Sequence, residues 1–598
     1  MASMQQPSIR APGWKWYLLI GTAAFSFQLW LCKPLIASYF PTTDEIAIEA
    51  ASTPVGGQIH PSAWFTQGFQ DYFRPYAEWG SRPSNFFRPL FNALFWTYYQ
   101  TFGTHWAYQL VFGYLVHALV VSLSAYLALG ILGLTKPFAA LAILIAALNP
   151  ACWSLYPDTF AIPPLIQFPA YQTEILCAAL IIAAFLAFIR SQFVLFAIAA
   201  TLALLLKETA LTVPIAALAL VGVWRRREAS ASLRNGLWLA MPLIVWVVIK
   251  LTIFEHGFSS FVMTSNKPLS WLTQPIRNTL LWPTGLYTAA IGQSLAALRM
   301  HQWRVVATHA LELGINLIWW GAIALAILQT WRSYARRWFI TAPEPWVAGL
   351  VFAGSNLALL IALQETHLRY GYLWFALGPA PVFSILSHRR GGIALATVLG
   401  LGLVVPQLGS VRDALSADSI NNYRLVKQSA RQLTSLLGNL PPAVDTVYLI
   451  DDMVVQVPTP SYMAKFADFR GRIVLINGVR PMAHCTPTAQ AAPRYQLARR
   501  GDQTLLAYSA PACFERYFGL PPLALIGHDN TVQRGTWMTY NYPELSATPR
   551  SPTEEYSVGH SWSVTFSDPV CRTEGACIWL GFDERRGQYH ELPIDTDP

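Results

Sequence analysis

The chain is poor in charge. Asp, Glu, Lys and Arg make up 12% of its 598 residues, while 54% are hydrophobic. An ordinary soluble domain carries roughly twice that share of charge, so a water-solvated globular protein is excluded as a description of most of the chain. The sequence also lacks a Gly-rich dinucleotide turn and a Walker-type phosphate loop, which removes the usual carriers of nucleotide chemistry. No Ser-His-Asp or Cys-His arrangement offers an activated nucleophile, and no Cys/His spacing resembles a zinc site. No internal repeat of the kind common in transporters is visible. The net charge of +9 does not point to nucleic acid, because many of the basic residues sit in short turns between apolar runs and not on a soluble face.

What is present is a series of apolar runs of about 17–25 residues, the length that crosses a hydrocarbon core. They lie near residues 16–39, 108–133, 137–156, 171–189, 192–206, 209–224, 236–254, 306–330, 346–364, 369–387 and 391–408, which predicts about 11 transmembrane helices. With the N-terminus cytoplasmic, the short loops carrying Lys136, Arg190, Arg225-Arg226-Arg227, Arg332 with Arg336-Arg337, and Arg389-Arg390 all fall inside, as the positive-inside rule requires. The long segments 40–105, 255–305 and 410–598 then fall outside. The first run follows Arg10 and Lys15 without a small-residue cleavage site, so it is expected to be an uncleaved span. The reading divides the chain into a membrane domain, 1–409, with a large first outer loop at 40–105, and a soluble domain, 410–598.

In the soluble part, residues 414–438 read as a helix. Strands are expected at 446–450, 472–476, 503–508, 561–566 and 577–581, giving an α/β or β-rich domain. Four of the seven cysteines, Cys485, Cys513, Cys571 and Cys577, lie there. In an oxidising compartment they suggest one or two disulfides, with Cys571 to Cys577 the easiest local bridge. Asp451-Asp452 follows a strand, where turns favour Asp regardless of function. In the first outer loop, aromatics from Trp64 to Trp79 recur at spacings near three and four, which predicts an amphipathic interfacial helix running toward Arg88.

Two groups of ionisable residues stand out. Asp44-Glu45 lies just past the first span, at the outer mouth of the bilayer. Lys207-Glu208 lies inside a single long apolar run. Arg190 and Arg225 both need to be cytoplasmic, so that run must cross an even number of times, and at 1.5 Å per residue it barely completes two crossings. Lys207-Glu208 is therefore expected at the turn of a hairpin, at or slightly below the outer surface. Ionisable groups at such depth are costly unless they face protein or water, which makes them functional candidates, although a pair that satisfies itself at the turn is the plainer alternative. His117, inside the second span, reads as a helix–helix hydrogen bond more readily than as a catalytic group.

Together, Asp44-Glu45, Arg88-Pro89-Leu90, Lys207-Glu208-Thr209-Ala210 and Glu365-Thr366-His367-Leu368-Arg369-Tyr370 resemble the GT-C glycosyltransferases. The likeness covers residues 1 to about 408, and is nearest to protein O-mannosyltransferases and the lipid A aminoarabinose transferase. The resemblance implies a GT-C-like polytopic membrane protein with a periplasmic C-terminal domain, in the bacterial cytoplasmic (inner) membrane. It implies inverting transfer of a sugar from a polyprenyl-phosphate donor to a protein, lipopolysaccharide or other glycan acceptor. Asp44 or Glu45 would be the general base; Lys207 and Arg369 would contact the donor phosphate. Some members use a divalent cation and others do not; Asp158 and Glu174 could join Asp44 at the site or at a metal, and no metal ligand is assigned.

The chemistry agrees with those residue types. A carboxylate takes the acceptor proton, fixed positive charge stabilises the departing phosphate, and Arg adds a planar fork where Lys supplies a point charge. Single-displacement inversion needs no nucleophile. Around this core, Glu208 would orient Lys207 or bind a sugar hydroxyl, and His367 and Tyr370 would support the phosphate or the acceptor. Arg88 would bind phosphate or snorkel to headgroups. A lipid-linked glycan transporter or flippase, and an oligosaccharide polymerase or ligase, are the alternative functions.

Overall fold

The computed structural model describes residues 13–39, 89–103, 105–153, 172–224, 229–253, 276, 279–280, 298–334, 345–362, 371–387, 391–451, 467–469, 471–477, 479–481, 494–500, 503–510, 514–516, 523–526, 532–533, 538–541, 560–566, 575–583 and 588–596. Among these, the chain divides into two compact units that part between Ile420 and Asn421.

The first unit is helical. The opening apolar run is broken: α1 (Trp14–Leu31) ends at Cys32 and α2 (Lys33–Ser38) begins anew. Pro34 explains the break, since it has no N–H to give to the preceding turn. The residues expected to close the first outer loop instead form a helix, α3 (Pro89–Phe102), whose Phe91, Phe95 and Tyr98 are buried. At 14 residues it is too short for a span and too aromatic for a polar loop.

Next come α4 (Ala107–Ala125), extended by a π turn over Tyr126–Ile131, then α5 (Lys136–Ala147) and α6 (Pro150–Trp153). They are followed by α7 (Gln172–Ile189), α8 (Phe193–Leu206), a 3-10 turn at Glu208–Leu211, α9 (Thr212–Trp224) and α10 (Ala229–Ile253). The rest are α11 (Trp303–Tyr334), α12 (Pro345–Ala362), α13 (Tyr372–Leu377), α14 (Pro379–Ser387) and α15 (Gly392–Ala414). Within the described residues, four helical stretches are long and apolar enough to cross a membrane: Ala107–Ile131, Lys136–Trp153, Gln172–Ile189 and Gly392–Gly409. Shorter apolar helices, such as Phe193–Leu206 and Pro345–Ile361, are also present.

Close approach fixes the packing of α1 on α4. A Cβ at Gly21 would lie 2.0 Å from Ser122 Oγ, and that hydroxyl donates to the Tyr17 carbonyl at 3.0 Å. This is the small-residue contact that lets membrane helices meet without a hydrophobic driving force. Arg190, just past α7, lies 4.9 Å from the centre of the Tyr126 ring, which places it at the end of α4 nearest Lys136.

The second unit begins within α16 (Ala417–Gly438). Its strands are β1 (Thr446–Asp451), β2 (Arg472–Asn477), β3 (Val479–Pro481), β4 (Arg494–Arg500), β5 (Gln503–Ala510), β6 (Phe514–Arg516) and β7 (Leu523–Ile526). There follow β8 (Val532–Gln533), β9 (Met538–Asn541), β10 (His560–Phe566), β11 (Cys577–Asp583), β12 (Gln588–Glu591) and β13 (Ile594–Thr596). One sheet has the order β12-β11-β1-β2-β7-β8 and a second β13-β4-β5-β10-β9. Strands β11, β1 and β2 run parallel at the middle of the first sheet, where Val447–Ile450 is fully buried. A continuous apolar run is what a central parallel strand requires. Tyr448 stacks on Trp579 across β1 and β11, with ring centres 4.0 Å apart. Gln432 of α16 holds the main chain of β12 at Tyr589 with both amide atoms, at 2.9 and 2.7 Å, and so covers part of a sheet edge. Cys577 is disulfide-bonded.

Candidate functional site

The break expected at Lys207 is present. Helix α8 closes with the Lys207 amide donating to the Ala203 carbonyl at 2.8 Å. Lys207 itself is extended, at φ −159° and ψ 136°, before the 3-10 turn starts at Glu208. The two arms, α8 and α9, each pack on α10 and not along one another, so the hairpin anticipated there is not a closely paired one. The Thr209 carbonyl fixes the turn from outside, accepting from Asn356 Nδ2 of α12 at 3.2 Å and from Thr212 Oγ1 at 3.3 Å.

Lys207 is buried, and its ammonium is paired with the Glu174 carboxylate; the two side chains are 7% and 8% exposed. Glu174 lies in the first turn of α7. It is brought to Lys207 because α7 and α8, joined by the short turn Arg190–Gln192, lie against each other. Glu208 is buried as well. An ion pair withdrawn from water inside an apolar helical unit is costly to assemble and contributes little net stability, so its retention there asks for a functional reason.

A second polar cluster lies among α4, α5, α6 and α13. The His117 Nε2 lies 3.0 Å from the Ala147 carbonyl, and Nδ1 lies 2.6 Å from the Tyr372 hydroxyl. A carbonyl only accepts, so in the neutral ring the proton sits on Nε2, and Nδ1 accepts from Tyr372. Cys152 Sγ approaches the same Nδ1 at 3.7 Å. Asn149, between α5 and α6, donates to the Tyr372 carbonyl at 3.0 Å and accepts from the Ala151 amide at 3.0 Å. Ser124 donates to the Ala376 carbonyl at 2.9 Å. His117 is thus a helix–helix hydrogen bond, the plainer of its two sequence readings.

Of the residues singled out in the sequence, Lys207, Glu208, Glu174, His117, Asp451 and Cys577 lie among the described residues, and Glu174, a candidate for the site or a metal, is brought to Lys207. Asp44, Glu45, Arg88, Asp158, His367, Arg369 and Tyr370 lie outside the described residues, as do the aromatic stretch 64–79, Asp452, Cys485, Cys513 and Cys571. The partner that sequence reasoning did not assign to Lys207 is Glu174. It stands 33 positions earlier, and only the packing of α7 on α8 links the two. Asn356 was not anticipated either; an Asn in an otherwise apolar run is the one signal that could have found it. Among the described residues, no group of three or more His, Cys, Asp and Glu is placed to hold a metal ion.

No family model matches the chain, and no curated protein matches it. Among solved structures it is similar to the crystal structure of ArnT from Cupriavidus metallidurans bound to undecaprenyl phosphate, with 12% sequence identity and a TM-score of 0.36 over 78% of this chain and 94% of that chain.

Proposed function

We propose that this chain is an inverting glycosyltransferase of the bacterial inner membrane. It moves a sugar from a polyprenyl-phosphate donor to a protein, lipopolysaccharide or other glycan acceptor on the periplasmic side. The observation that carries the reading is the buried Lys207–Glu174 pair at a break between two apolar helices. In this reading the pair holds the ammonium in readiness near the outer surface of the membrane, where a phosphate attached to a lipid tail has to be met. The disulfide at Cys577 supports an oxidising, extracytoplasmic compartment for residues 421–598.

In this reading the acceptor hydroxyl attacks the anomeric carbon of the donor sugar. Its proton passes to Asp44 or Glu45. The bond from the anomeric carbon to the phosphate oxygen breaks, and the electron pair stays on the phosphate, neutralised by Lys207, Arg369 and Arg88. Glu208, His367, Tyr370 and Asp158 complete the pocket around the sugar and acceptor. One displacement inverts the anomeric centre, and no covalent enzyme intermediate forms.

One observation favours a second reading. The break at Lys207 interrupts an apolar run, as in transporters whose sites are built from discontinuous helices. Membranes containing the wild type, Asp44→Asn, Lys207→Gln or Arg369→Ala separate the two, with their glycolipids followed by mass spectrometry. The transferase reading expects a polyprenyl-phosphate sugar to be consumed by the wild type and spared by the variants. Equal consumption by wild type and Lys207→Gln would remove Lys207 from the site.

A further inference from the structure

We propose that Glu174 is the resident counter-ion of Lys207 and that the donor phosphate displaces it, so that donor binding is an exchange of one anion for another. The inference rests on the reading of Lys207 as a donor-phosphate contact. An ammonium taken out of water and left alone is strongly disfavoured, so the ligand-free protein must hold Lys207 against a carboxylate. Glu174 does so, with both side chains less than a tenth exposed.

Three features let the pair come apart without unfolding its surroundings. Lys207 lies on extended backbone between two helical segments, its amide still closing α8 on the Ala203 carbonyl, so its side chain leaves the backbone at a point where the helix has already ended. The turn itself stays fixed, because the Thr209 carbonyl is held by Asn356 and Thr212. Glu174 stands in the first turn of α7, where the helix N-terminus favours a negative charge once the ammonium has turned away. A resident anion lowers the apparent affinity of the incoming one, because only the fraction of molecules with a released Lys207 is competent to bind. The donor phosphate is a diester with one charge shared by two oxygens, so it replaces the carboxylate one charge for one, and the sugar-free polyprenyl phosphate, a monoester, carries more charge to the same ammonium.

The test is a double-mutant cycle on the full-length protein in detergent or nanodiscs, with binding of a sugar-free polyprenyl phosphate as the readout. Glu174→Gln is expected to tighten binding on the order of tenfold, the usual size of coupling between two binding events. In a Lys207→Gln background the same change is expected to do nothing. A merely structural Glu174 predicts weaker or unchanged binding instead, and either result overturns the proposal. Equal tightening in both backgrounds also overturns it, because Glu174 would then act by general repulsion and not through Lys207. Equal binding by wild type and Lys207→Gln is a different failure: it removes Lys207 from the phosphate site and refutes the functional reading itself. If Glu174→Gln does not give a monodisperse protein, Glu174→Asp takes its place. It keeps the charge at the helix terminus but draws it back from Lys207, and a smaller tightening is expected; unchanged affinity in that variant overturns the proposal.

Discussion

Replacing Tyr372 by Phe removes one oxygen and leaves the packing volume nearly intact, so it isolates the hydrogen bond that ties α13 to α4. The Tyr372 hydroxyl meets His117 Nδ1 at 2.6 Å. Tyr372 is 1% exposed and His117 is fully buried, so water cannot replace the lost donor. Cys152 Sγ, 3.7 Å from the same nitrogen, is a weak substitute. Interhelical hydrogen bonds in membrane proteins average about 0.6 kcal/mol and reach about 1.7, and a stranded buried acceptor adds a penalty of about 1 kcal/mol or more. The expected loss for Tyr372→Phe is about 1–2 kcal/mol, or roughly 5–30-fold in the unfolding equilibrium. Reversible unfolding in bicelles of the wild type, Tyr372→Phe, His117→Phe and the double variant gives the pairwise coupling. A coupling of at least about 0.6 kcal/mol is expected. A value within about 0.3 kcal/mol of zero, where independent sites lie, would refute the hydrogen-bond assignment.

Two further predictions follow from the packing. Gly113→Ala would put a methyl 2.0 Å from Gln172 Nε2, and overpacking of this kind costs about 1–3 kcal/mol. In the same unfolding assay Gln172→Ala should recover most of that loss, and additive losses would show that the two do not collide. Cys577→Ser is expected to lower the stability of the second unit by about 2–5 kcal/mol. A reductant should lower the melting temperature of the wild type toward that of the variant, and a wild type indifferent to reductant would contradict the disulfide.

Period and composition made much of the architecture readable. The strands expected at 446–450, 472–476, 503–508, 561–566 and 577–581 each fall within an observed strand, because β-branched and aromatic runs bounded by turn residues leave few alternatives. The helix expected at 414–438 is present as Ala417–Gly438. Helix α3 escaped because its Trp, Tyr and Asn dilute the apolar signal, and because 14 residues fall short of a span. The break at Cys32 was smoothed over by hydropathy, which sums side chains and does not see that Pro34 withholds a backbone donor. At the candidate site, a charged pair in an apolar run was enough to find Lys207-Glu208. The identity of the counter-ion was not readable, since Glu174 reaches Lys207 only through the packing of two helices.

The proposed reaction breaks the bond between a sugar and a polyprenyl phosphate. Its most direct test follows the lipid itself, with the purified full-length protein in liposomes carrying a labelled polyprenyl-phosphate sugar and supplied with a periplasmic extract as the source of acceptor. Bare polyprenyl phosphate is expected to accumulate in step with transfer of the labelled sugar to acceptor, and Lys207→Gln to slow both together. A donor that changes leaflet with its sugar still attached would refute glycosyl transfer and identify a transporter.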